Sequence, residues 1–185
     1  FTGWGLHYIQ DLTQPYHARV LPGVSVLRML AINLADMLGF PAPKANAIQL
    51  VSNRHFAIEG YQFESLRDGY RDGLESPALQ ALGRWERDAS YPAYSAAYVR
   101  DVITQESVSQ SDELDRTLTD ALPARWVNDP GYQFGDSAEE RDDIHAELRA
   151  HGTEETRKRM EGALDQAMQR FGIHSRQYIR SILAP

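Results

Sequence analysis

The chain has 185 residues, 42% apolar and 24% charged, with 19 basic against 26 acidic side chains and a net charge of -7. That length can bury a sizeable core in one domain, and the acidic balance weighs against tight binding of a polyanion. There is no cysteine, which excludes a disulfide framework and thiolate-bound metal clusters.

Residues 2 to 14 read as a first helix, closed by Pro15, whose ring cannot continue the hydrogen-bond ladder. On that helix His7 and Asp11 stand four apart, so both side chains stack on one face. His17 follows just after the proline. Leu21-Pro22-Gly23 is a turn, after which Ser25 caps a second helix to about Leu38, stopped by Gly39. The run from Val24 to Phe40 is apolar almost all round apart from Ser25, Arg28, Asn33 and Asp36, and a helix of that kind is expected in the core. The alternative is a lipid-facing surface made by Val26, Leu27, Met29, Leu30, Met37 and Phe40.

Pro41 to Pro43 form a short linker, and a long helix is predicted from Lys44 to about Tyr70. It carries His55 and Glu59, again four apart, although Gly60, Gly69 and Gly73 weaken its later part. Further helices are expected at 76–88, 93–108, 111–122, 137–151, 153–171 and 174–183. Ser111 and Ser137 are possible N-caps, Ser137 forming a capping box with Glu140, and Gly172 is a possible C-cap. No alternating strand pattern, internal repeat or low-complexity segment is present, so the fold class is all-α.

Between Pro123 and Asp136 an Asn-Asp-Pro-Gly turn interrupts the helices. Its aromatics Trp126, Tyr132 and Phe134 are candidates either to line a substrate approach or to anchor the loop. His145 lies in an Asp- and Glu-rich stretch and is expected in solvent. His174 is expected to cap a turn after Gly172, and His151 has no partner at ligand spacing.

Imidazole nitrogen combined with carboxylate oxygen suits zinc better than magnesium or calcium. Each His-x3-carboxylate pair alone is also a common helix-surface contact. Together, His7-x3-Asp11-x5-His17 and Asn53-x-His55-x3-Glu59, with Gln14-Pro15 ahead of the third ligand, resemble the zinc-dependent phospholipase C and P1 nuclease superfamily over residues 3 to about 61. The resemblance implies a multi-helix domain holding up to three zinc ions that cleave phosphodiesters. It places His7 and Asp11 on a paired zinc cluster, with Asp11 able to bridge, and His17, His55 and Glu59 as the protein ligands of another zinc. The family's remaining ligands and its general base are expected from an N-terminal segment outside these residues.

The HxxxE ending and the apolar insertion tip the expectation toward a phospholipase C-like hydrolase acting on phospholipid. A P1-type single-strand nuclease is the second reading, and a non-catalytic, zinc-stabilised helical domain the third. Residues 1–185 are read as a single helical domain of a longer or processed chain. The absence of a signal-peptide pattern suits a processed, secreted or periplasmic protein. No apolar run approaches the roughly 20 residues needed to cross a bilayer.

Overall fold

The computed structural model describes residues 2–72, 76–134 and 144–183. Among them the regular elements are helical and no strand occurs, as the all-α reading expects. In chain order they are α1 (Thr2–Leu12), α2 (Pro15–Ala18), α3 (Val26–Met37), α4 (Ala42–Asp72), α5 (Pro77–Gly83), a 3-10 turn at Asp88–Ser90, a π-helical turn at Val99–Ile103, α6 (Thr104–Ala121), α7 (Ala124–Asn128), α8 (Ile144–His151) and α9 (Glu154–Leu183). No helix among the described residues is long and apolar enough to cross a membrane.

The chain divides into two compact units, one of Phe1–Val20, Ser65–Ser111 and Glu161–Pro185, the other of Leu21–Glu64 and Asp112–Met160. In the first, α1 turns Ile9 inward against Tyr98 and Ile103, with Leu12, Tyr94 and Tyr178 around them. In the second, Val24, Ile32 and Ala47 pack together with Leu21 and Met29, so the inner side of α3 rests on the start of α4.

Several helix ends obey local chemistry. Gln14 is extended (φ -83°, ψ 123°), as a residue before proline prefers, and the Gln14 amide takes the Asp11 carbonyl at 2.9 Å, ending α1 two residues earlier than expected. The Ser25 hydroxyl accepts from the Arg28 amide, and Gly39 adopts φ 89° after α3, the left-handed stop that glycine supplies.

Other boundaries moved. The helices expected at 93–108 and 111–122 join into a helical run through α6, where Ser111 is buried and donates its hydroxyl to the Val108 carbonyl instead of capping. The pair expected at 153–171 and 174–183 is the single helix α9. Gly172 sits inside it, where a Cβ would collide with the Leu82 carbonyl oxygen; its role is close backbone approach rather than a C-cap. Gly60 also lies inside a helix, α4, where a Cβ would meet the Cδ1 end of the Ile144 side chain. The Ser137–Glu140 capping box lies outside the described residues.

The largest correction concerns α3. Only Ile32 along it is buried, whereas Leu27 is 79% and Met37 84% exposed, with Leu30, Leu34, Leu38 and Phe40 also in the open. An apolar helix is expected in the core because burial is its main stabilisation, yet this one has an inner face on α4 and a second apolar face in the open.

Candidate metal centre

On the first unit, α1 presents His7 and Asp11 away from its buried Ile9 face. Asp11 Oδ2 lies 3.6 Å from His7 Nε2 and 3.9 Å from His17 Nδ1, so one carboxylate faces two imidazoles. The break at Pro15 makes this possible: α2 is a single turn anchored by buried Pro15 and Tyr16, and it swings His17 back toward Asp11.

On the second unit, His55 and Glu59 share one face of α4, with Nε2 to Oε1 at 3.1 Å. The opposite face is fixed by buried Ala57 and Ile58. Asn53, fully buried two residues before His55, accepts from Gln49 Nε2 and the Phe134 amide and donates to the carbonyls of Tyr132 and Asp129. Arg54 donates from Nε to the Val127 carbonyl and from one guanidinium nitrogen to both oxygens of Asp115, at 3.0 and 2.9 Å. These contacts bind α4 to α6 through Asp115 and to residues 127–134, just ahead of the histidine. Sequence reasoning included Asn53 only as part of a pattern and passed over Arg54; the adjacent Asn-Asp-Pro-Gly turn was the available signal.

Atoms around one tetrahedral zinc at bond lengths near 2.0–2.1 Å stand roughly 3.3 Å apart. The 3.1 Å separation of His55 and Glu59 matches that spacing. Two imidazoles and a carboxylate are a zinc donor set that leaves a fourth position open. Within the second unit His55 and Glu59 fit a metal on both chemistry and spacing, and within the first His17 offers the same ligand chemistry beside Asp11.

The remaining candidates have other roles. Trp126 is buried with Phe134 edge-on at 5.2 Å, so these aromatics anchor their loop. His145 is half-buried against the Tyr61 ring at 4.8 Å, contrary to the solvent position expected from its acidic neighbours. His151, itself exposed, pairs with Glu147 at 3.0 Å on α8.

His174 is no turn cap: it is buried in the first unit, with Nε2 3.0 Å from Glu106 and Nδ1 3.0 Å from the Tyr98 hydroxyl. Tyr91 also donates to Glu106, at 2.7 Å. Burial opposes ionisation of Glu106, but the hydrogen bonds from His174 and Tyr91 outweigh it and hold the carboxyl below its usual range. Burial, reinforced by Glu106, pushes the Tyr91 phenol up to about 12.

No family model matches this chain, and neither a curated protein nor a solved structure matches it.

Proposed function

We propose that the chain binds zinc through His17, His55 and Glu59, and that it belongs to a zinc-dependent phosphodiesterase acting on phospholipid. The observation that carries this reading is the pairing of His55 with Glu59 at 3.1 Å on one face of α4; His17 joins them through the motif resemblance. The reaction class and the substrate follow from the motif resemblance alone. Net charge -7 adds support for a lipid or small phosphodiester over a long nucleic acid.

In this reading the chain's own residues supply position. Asn53 and Arg54 fix the turn of α4 that carries His55, and Pro15 and Tyr16 fix the turn that carries His17. His7 and Asp11 offer a second, more exposed pair of ligands. A zinc ion held there would supply Lewis-acid stabilisation of the charge that develops on a phosphodiester.

The test is elemental analysis of the purified chain, combined with hydrolysis of phosphatidylcholine vesicles and of single-stranded DNA. At least one zinc per chain, lost in His55→Ala, is expected. Hydrolysis by these 185 residues alone should be very slow, with far faster lipid turnover once the N-terminal segment implied by the motif resemblance is joined to them, and a chelator should abolish the difference. Zinc content unaltered by His55→Ala would overturn the site. Zinc present with neither substrate cleaved, in a protein that carries its full N-terminal segment, would favour a structural ion. Faster cleavage of DNA than of lipid would favour the nuclease.

A further inference from the structure

α3 exposes residues 27, 30, 34 and 37 at successive intervals of three, four and three. That is the spacing of a two-helix seam, in which alternating intervals keep one apolar stripe facing a partner. The inner side of the same helix is already used, since Ile32 and Met29 pack with Val24 and Ala47. The outer stripe is a separate face of the second unit.

We propose that α3 is a self-association surface, pairing antiparallel with α3 of a second copy of this chain about an axis near Ile32. The seam is symmetric about that residue: Leu27 falls opposite Met37 of the second copy, and Leu30 opposite Leu34. A two-fold interface requires such self-complementarity. The flanking positions Val26, Ala31, Asn33, Leu38 and Phe40 carry no charge, so no like charges meet when two copies align.

Area supports the same occupant. The seam with Val26, Leu38 and Phe40 provides seven exposed apolar side chains, which at roughly 100 Å² each give about 700 Å² per copy. A standard interface needs about 800 Å² per partner. A lipid surface fits less well, because helices that lie on membranes are rich in lysine and arginine on their polar face. α3 has only Arg28, and the neighbouring Lys44 is held by Asp36 at 2.7 Å.

Sedimentation equilibrium over a wide concentration range, in zinc-free buffer with chelator, tests this independently of the metal reading. The wild-type chain should reach twice the monomer mass, and Leu34→Glu, an exposed position whose far-UV circular dichroism should not change, should remain monomeric. Mixing a Leu30→Glu, Leu34→Glu variant with a Leu30→Lys, Leu34→Lys variant should restore the dimer. Because the chain lacks cysteine, a mixture of Leu30→Cys and Leu34→Cys should cross-link under mild oxidation, whereas Arg67→Cys, exposed on α4, should not. A monomeric wild type, equal masses for wild type and Leu34→Glu, or a monomer that binds phosphatidylcholine vesicles through α3 would each overturn the proposal.

Discussion

Two histidine–glutamate pairs of nearly equal length do opposite work in this molecule. His55 and Glu59 stand 3.1 Å apart on neighbouring turns of α4, with side chains 27% and 40% exposed. His174 and Glu106 stand 3.0 Å apart, but 68 residues separate them in sequence and the imidazole is 1% exposed. His174 has a partner for each ring nitrogen, and its carboxylate also accepts from Tyr91, so that cluster is closed on itself. The pair on α4 is partly open to solvent. The same two residue types make a structural clamp where burial and a phenol complete the shell, and a pair of candidate ligands where the donor atoms stay partly in solvent.

The largest expected effect breaks the buried pair. His174→Ala leaves the buried Tyr98 hydroxyl without its His174 partner and Glu106 with Tyr91 alone of its two hydrogen-bond donors, and should destabilise the chain by about 2–4 kcal/mol in urea unfolding, with zinc stoichiometry unaltered. His55→Ala measured with chelator present should change stability by less than about 1 kcal/mol and abolish zinc binding. Equal stability losses for the two would erase the distinction.

Asn53→Ala sharpens the comparison from the other side. Removing an amide that makes four buried contacts should cost about 2–3 kcal/mol, and because it stands two residues before His55 it should also weaken zinc binding, by roughly tenfold in a competition titration. Loss of stability with full zinc affinity would show that the loop 123–134 does not position the site.

Acid should separate the two pairs in turn. Histidine must be neutral to bind metal, so zinc should leave as pH falls below about 6. Glu106 and Asp88 are both ionised more readily than usual in the fold. For Asp88, burial opposes this, but the Arg176 and Arg180 guanidiniums prevail. A depressed carboxyl stabilises the fold fully above its ordinary value, 4.5 for the glutamate and 3.8 for the aspartate, and loses that contribution as pH falls through its lower folded value. Between about pH 6 and 4.5 the chain should therefore be metal-free yet folded, as read by dialysis and near-UV circular dichroism. The smallest effect is at His7: its side chain is 68% exposed, and His7→Ala should alter stability by no more than about 0.5 kcal/mol.

What the sequence revealed follows from the range of its signals. The helical class, the α3 cap at Ser25, the stop at Gly39 and the His55–Glu59 pairing all depend on residues within four positions of each other, where helix geometry alone decides. The His174 clamp and the Asn53 contacts link segments many tens of residues apart, so spacing could not reveal them. α3 was misjudged because apolar periodicity tells how many faces are greasy, not which of them the rest of the chain covers. Gly172 looked like a stop for the same reason: its cause, the Leu82 carbonyl, lies elsewhere in the chain.

The central claim is that His17, His55 and Glu59 share one ion, and the most direct measurement is an anomalous difference map at the zinc edge from crystals of the chain soaked in zinc. The account predicts a peak within about 2.0–2.2 Å of one imidazole nitrogen of His17, one of His55 and a Glu59 carboxylate oxygen. A map with no peak at those three residues, or with zinc only at His151 and Glu147, would contradict it.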